Sequence, residues 1–116
     1  LPGCAEPFAP KTVRATMGAC FRLPVWEADL HTLQARLDEG GVPLYATALR
    51  EDTEDIKTAD LSRSAVVIGS EGRGVSPELL AMSQRALKIP MRERCESLNA
   101  AAAAAVLLWE AARNTL

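Results

Sequence analysis

Residues 65–70, Ala-Val-Val-Ile-Gly-Ser, constrain the fold more than any other stretch of the chain. Four apolar side chains stand in succession, so a strand built from them is apolar on both faces. That is the pattern of a strand covered on both sides in a parallel sheet. The run breaks into Gly-Ser-Glu-Gly-Arg-Gly, and Ser76-Pro77-Glu78 then opens a helix, with serine at the cap and proline at the first helical position. Strand, glycine loop and helix form half of a βαβ unit, and the rest of the chain alternates in the same way.

Upstream, Val13, Met17, Cys20 and Phe21 fall at helical spacing after Pro10, which predicts a helix over 10–21. The apolar run 23–28 reads as a short strand. Asp29 caps a helix whose stripe is Leu30, Leu33 and Leu37 and which stops at Gly40-Gly41. Residues 42–49 read as a buried strand. The acidic, polar stretch 50–64 reads as an exposed connection holding a short helical turn. After the helix that Ser76 caps, residues 87–91 (LKIPM) form a last strand, and the final helix runs from Ser97 to Arg113 with Ser97 or Asn99 at its cap. The fold class is therefore α/β, a mostly parallel sheet flanked by helices. Ligands of such sheets bind at the carboxyl ends of the strands. Here those ends are Thr47, the loop Gly69–Gly74, and the segment Met91–Leu98.

Composition narrows the function classes. At 116 residues, 48% hydrophobic and 24% charged, the chain suits one globular domain and not a disordered tail. No apolar run approaches the roughly 20 residues of a membrane helix. The N-terminal LPGCAEPFAP has neither the basic start nor the apolar core of a signal peptide, and the chain does not begin with Met. Cys4, Cys20 and Cys95 form no CxxC pair, as expected for reduced thiols in a cytosolic protein. His31 is the one histidine, so a zinc site has no ligand set and no metal is expected. The net charge of −2 does not mark a free-standing nucleic-acid binder. Its distribution is uneven: residues 1–62 carry six Lys/Arg against ten Asp/Glu, and residues 63–94 carry six against three. Arg63, Arg73, Arg85, Lys88, Arg92 and Arg94 thus surround the two later strand ends, where a basic rim attracts phosphates.

The glycine loop excludes two familiar ligands. Its glycines stand at 69, 72 and 74, which is not GxGxxG, and it lacks the lysine of a P-loop. Glycine at a strand end permits either close ligand approach or positive φ. A carboxylate at Glu71 repels phosphate but suits a hydroxyl, an amine or a cation. A plain tight turn, with Glu71 capping the next helix, stays open at this level.

Taken together, VVIGSEGRGVSPELL (66–80) and LKIPMRERCESLNAAAAAAVLLWEA (87–111) resemble the second and third motifs of the SpoU (TrmH-like) family of SPOUT RNA methyltransferases. PFAPKTVRATMGACFRLPV is similar to the segment those enzymes carry after their first motif. The resemblance implies 2′-O-ribose methylation of transfer or ribosomal RNA with S-adenosyl-L-methionine, by a cytoplasmic homodimer. It also implies a trefoil knot made by a C-terminal segment threaded through a loop. By the same resemblance Gly69, Ile89 and Leu98 hold the cofactor, with Met91 and Thr47 as neighbours. Glu71 and Asn99 stand near the reacting ribose, Ser97 is a weaker candidate, and Arg22, Arg73 and Arg92 are candidates for RNA contact.

One departure bears on activity. The family's first motif, an Asn-x-Gly segment with a downstream arginine, has no counterpart in these 116 residues, and Arg14 aligns with the later segment instead. Two readings follow. The chain is the C-terminal part of an RNA methyltransferase that turns over poorly alone, or it is a non-catalytic knotted module for cofactor or RNA binding and dimerisation. A small nucleotide-binding α/β protein is a third and more distant reading.

Overall fold

A computed structural model describes residues 1–48, 53–70, 72–92 and 99–115. The chain divides into two compact units, Leu1–Arg36 and Leu37–Leu116.

In the first unit, helix α1 spans Pro10–Ala15, with Pro10 at its first turn. It is shorter than the period predicts, because Met17 (φ 52°) and Gly18 (φ 80°) turn left-handed and only a 3₁₀ turn, Ala19–Phe21, follows. The expected strand at 23–28 does not form. An apolar run makes a strand only where a neighbour offers a ladder of hydrogen bonds, and this one has none among the described residues. Phe8 and Phe21 stack with ring centroids 5.6 Å apart. Helix α2, Leu30–Gly40, starts where expected: the Asp29 carboxylate accepts the Thr32 N–H at 2.8 Å.

The second unit is built on four parallel strands: β1 Leu44–Thr47, β2 Glu54–Asp55, β3 Ala65–Val67 and β4 Arg85–Lys88. Their spatial order is β2-β4-β1-β3. Tyr45 is opposite Val66 on one side and Arg85 on the other. At the start of β1, Gln84 lengthens the ladder: its backbone N–H donates to the Leu44 carbonyl at 2.9 Å, and its side-chain oxygen accepts the Leu44 N–H at 2.8 Å.

Two helices follow the glycine loop. Helix α3, Pro77–Met82, begins at the expected Ser-Pro pair, with the Ser76 hydroxyl accepting the Leu79 N–H. Helix α4 spans Ala100–Ala112. Alternation along the strands gives each face its own layer. Leu87, with Tyr45, Val66, Ile68 and Ile89, packs with Leu107 of α4 and with Ile56 and Leu61. Leu44, Ala46 and Ala86 are buried on the other face, and α3, with its buried Leu79, packs against β1.

The 50–64 stretch corrects the sequence reading. It holds an edge strand, and Ile56 and Leu61 are core residues at 6% and 4% exposure. The expected knot depends on the path from β4 to α4, which includes residues 93–98, outside the described residues.

Candidate active site at the strand ends

Because β1, β3 and β4 run parallel, their carboxyl ends share one edge of the sheet, as the sequence pattern requires. Two bonds lock that edge. The Thr47 hydroxyl donates to the Val67 carbonyl at 3.1 Å, and the Ala48 N–H donates to the Leu87 carbonyl at 3.2 Å. The Thr47 side chain thus braces β1 against β3, a role that its position at a strand end did not reveal.

Gly69 has a steric reason to be glycine. A Cβ built there would lie 2.4 Å from the Gly74 carbonyl carbon and 2.6 Å from the Val75 nitrogen, both backbone atoms that cannot swing aside. The loop is pinched at its base. The Gly74 N–H donates to the Ser70 carbonyl at 2.9 Å, the Arg73 N–H donates to the Ser70 hydroxyl at 3.2 Å, and Gly74 takes φ +67°. Val75, at 9% exposure, anchors the far side of the loop. The loop after β3 is therefore closed at its base by the Ser70–Gly74 pairing.

Beyond β4, Ile89 is half-buried against the core layer, while Met91 is 39% exposed and leaves its thioether side chain in the open. That edge therefore carries loop backbone after β3 and apolar side chains after β4. Such a surface suits a flat, partly apolar ligand that hydrogen-bonds to main chain. Asn99 stands at the cap of α4, its side-chain oxygen accepting the N–H groups of Ala101 at 2.9 Å and Ala102 at 3.2 Å. Glu71, Ser97 and Leu98, expected members of the site, lie outside the described residues.

The basic residues sort into two groups. Arg85 pairs with Glu54 of β2 at 2.5 Å, and that hydrogen bond, with the charge behind it, raises the guanidinium pKa further. Arg63 donates to the Gly40 carbonyl at 2.8 Å. Both are engaged within the fold, and no local motif signals either partner, since Glu54 lies 31 residues from Arg85. Arg73 and Arg92 are exposed, and among the described residues neither guanidinium makes an ion pair. Arg22 is exposed in the first unit. Cys4 and Cys20 are free thiols. Among the described residues no group of His, Cys, Asp and Glu gathers as metal ligands would, and no helix is long and apolar enough to cross a membrane.

A parallel α/β sheet with a glycine loop and apolar side chains at its strand ends has the form of a ligand-binding domain, and comparison with known proteins specifies the kind. Residues 1–109 match the SpoU rRNA Methylase family, and the chain belongs to it. It is 48% identical over 89 residues to a tRNA (guanosine(18)-2′-O)-methyltransferase of Thermus thermophilus, covering 76% of this chain and 46% of that protein. It is 35% identical over 107 residues to the 23S rRNA (guanosine(2553)-2′-O)-methyltransferase RlmP of Bacillus subtilis, covering 92% of this chain and 43% of the relative. Among solved structures, the AdoMet-bound rRNA methyltransferase from Sinorhizobium meliloti superposes with a TM-score of 0.84 at 35% identity, over 97% of this chain and 43% of that one. The SpoU methyltransferase AviRb from Streptomyces viridochromogenes, in complex with AdoMet, gives 0.85 at 29% identity, over 96% of this chain and 46% of that one. The chain spans about half the length of the curated relatives it matches.

Proposed function

We propose that this chain forms the cofactor-binding part of an S-adenosyl-L-methionine-dependent RNA 2′-O-ribose methyltransferase acting on tRNA or rRNA. The observation that carries the reading is the strand-end edge, where Gly69 packs against the backbone of Gly74 and Val75 after β3 and apolar Ile89 and Met91 follow β4, in a chain of this family. These residues fit the cofactor: loop main chain offers hydrogen bonds to an adenosine, and Ile89 and Met91 offer apolar side chains to its base, with Leu98 assigned to the same pocket by the family resemblance. The cofactor supplies a methyl group already activated on sulfonium.

What remains for the protein is to place a ribose hydroxyl in line with that methyl group and to take its proton. Glu71, next to the pinched loop base in sequence, is the carboxylate assigned to the 2′-hydroxyl. Asn99, assigned with Glu71 to the reacting ribose, also caps α4 and through that cap sets where the helix begins. Thr47 holds the β1 and β3 ends together, so it positions the site through its neighbours. Arg73, Arg92 and Arg22 supply positive charge for the RNA backbone.

The reading includes the homodimer, the knotted C-terminal segment and a cytoplasmic location. Apolar side chains left in the open support self-association: Leu108 and Trp109 of α4 are 70% and 61% exposed, and Trp26 is 82% exposed. The same exposure also favours the non-catalytic dimerisation module, and activity separates the two.

The test is calorimetric titration with S-adenosylmethionine and S-adenosylhomocysteine, with ATP and NAD as controls, followed by transfer of labelled methyl to tRNA and rRNA. Selective binding of the first pair, and product resistant to alkaline cleavage at the modified ribose, are expected. In the protein at the full length its source makes, Glu71→Ala is expected to cut transfer by about 10²–10⁴-fold with cofactor affinity unchanged. Binding without transfer by the full-length protein would leave the non-catalytic module.

A further inference from the structure

The first unit holds a pair of aromatic rings that its own fold does not cover. Phe8 stands just before α1 and Phe21 ends the 3₁₀ turn, and the left-handed pair Met17–Gly18 reverses the chain between them so that the two rings meet. They stack with centroids 5.6 Å apart and planes 13° from parallel. Backbone bonds hold the pair in place: the Val13 N–H donates to the Ala9 carbonyl at 2.9 Å, the Gly18 N–H to the Val13 carbonyl at 3.1 Å, and the Phe21 N–H to the Gly18 carbonyl at 3.1 Å. Each ring shields part of the other, yet Phe8 remains 53% exposed and Phe21 66% exposed. A pair that served only as core would be covered. This stack is near-parallel and open-ended, so another flat ring can continue it.

The charge around the pair says which flat ring it suits. From Pro7 to Trp26 the chain carries Lys11, Arg14 and Arg22 and no acidic residue, whereas the rest of residues 1–62 carries three Lys/Arg against ten Asp/Glu. All three cations are exposed, and none makes an ion pair among the described residues. Arg22 follows Phe21 directly, and Lys11 and Arg14 lie on α1, which begins just after Phe8. An aromatic platform beside unpaired cations matches a nucleotide of a single strand, whose base stacks and whose phosphate takes the charge. A second copy of the chain suits this part of the surface less well. A two-fold contact centred here would set the patch against itself and bring like charges together. Trp26, beside Glu27 and Asp29, is free of that objection.

We infer that the Phe8–Phe21 stack is a platform for an unpaired base of the RNA substrate, with Lys11, Arg14 and Arg22 as contacts for the phosphates beside it. The inference rests on the methyltransferase reading. It gives the first unit a task of its own, holding the RNA, distinct from the cofactor binding assigned to the second.

The experiment compares wild type, Phe8→Leu, Phe21→Leu, Phe21→Trp and Arg22→Ala in the full-length protein. The probes are a single-stranded RNA oligonucleotide and an abasic strand with the same sugar–phosphate backbone, read beside melting temperature, S-adenosylhomocysteine affinity, sedimentation and methyl transfer. Wild type is expected to bind the base-bearing strand about tenfold or more tightly than the abasic one. Each leucine variant is expected to lose most of that preference while it keeps melting temperature, cofactor affinity and self-association, and Phe21→Trp is expected to keep the preference. Arg22→Ala is expected to weaken binding of both strands and to reduce the slope of log affinity against log salt by about one. No preference in wild type, an undiminished preference in the leucine variants, or an unchanged salt slope in Arg22→Ala would overturn the inference. So would a lowered melting temperature in both leucine variants, which would make the pair core of the full-length protein, or weakened self-association, which would give it to the dimer. A wild-type protein that methylates no RNA would instead overturn the functional reading itself.

Discussion

The two units spend their apolar residues in opposite ways. Every buried hydrophobic residue among the described residues, from Leu44 to Leu107, lies in the second unit, where a four-stranded sheet brings them together. The first unit has no buried residue, yet it carries Phe8, Met17, Phe21, Leu23 and Trp26 at 53–87% exposure. A sheet gives each apolar side chain a fixed neighbour on either side. Short helical segments and an unpaired extended run cannot do so. The second unit therefore holds itself together, whereas the apolar surface of the first is suited to covering by another surface, which the proposed dimer would supply.

The sharpest way to break this contrast is truncation on each side of it. Leu87→Ala, at the best-buried side chain of the core, is expected to cost about 2–5 kcal/mol in a urea unfolding series. Trp26→Ala, although it removes more atoms, is expected to stay within about 0.5 kcal/mol for the monomer while weakening self-association in sedimentation. Equal costs would mean that the first unit has a core of its own. A smaller effect is expected from Asn99→Ala, about 1 kcal/mol, read as faster amide exchange at Ala101 and Ala102 at the start of α4. The smallest concerns acid. The Thr32 N–H holds the Asp29 carboxyl below its ordinary value of 3.8, and Ser62 does the same for Asp60. A lowered folded pKa means stabilisation that is present above 3.8 and is lost as pH falls through the folded value. Asp29→Asn keeps a cap that does not titrate, so helix α2 followed by circular dichroism should lose part of its acid sensitivity. Acid sensitivity equal to wild type would remove Asp29 from the account.

Much of the second unit was legible because its signals are local. The run at 65–67, the Ser76-Pro77 helix start and the Asp29 cap each depend on residues a few positions apart. The family resemblance, carried by the two motifs at 66–80 and 87–111, is borne out by the family match. What escaped depends on distant partners. Glu54-Asp55 reads as exposed polar chain, and only the ladder to Leu87 and Lys88 makes it a strand. The run at 23–28 has the composition of a strand and lacks the neighbour. Gly69 was expected as a cofactor-holding glycine, whereas the cause the structure shows, close packing on the backbone of Gly74 and Val75, appears only when the loop is closed. Helix α4 buries Leu107 alone, a choice that its run of apolar residues does not single out.

The order of the strands also governs how the protein comes into being. β4 lies between β1 and β2, so the last described strand to leave the ribosome fills the middle of the sheet. Until residues 85–88 emerge, β1 can pair only with β3, and the two-residue β2 has no partner at all. Contacts this distant along the chain close slowly, and an open strand edge invites other chains while it waits. A pause in synthesis before residue 85 would therefore leave a half-made sheet with an open edge, and a pause soon after it would let the sheet close.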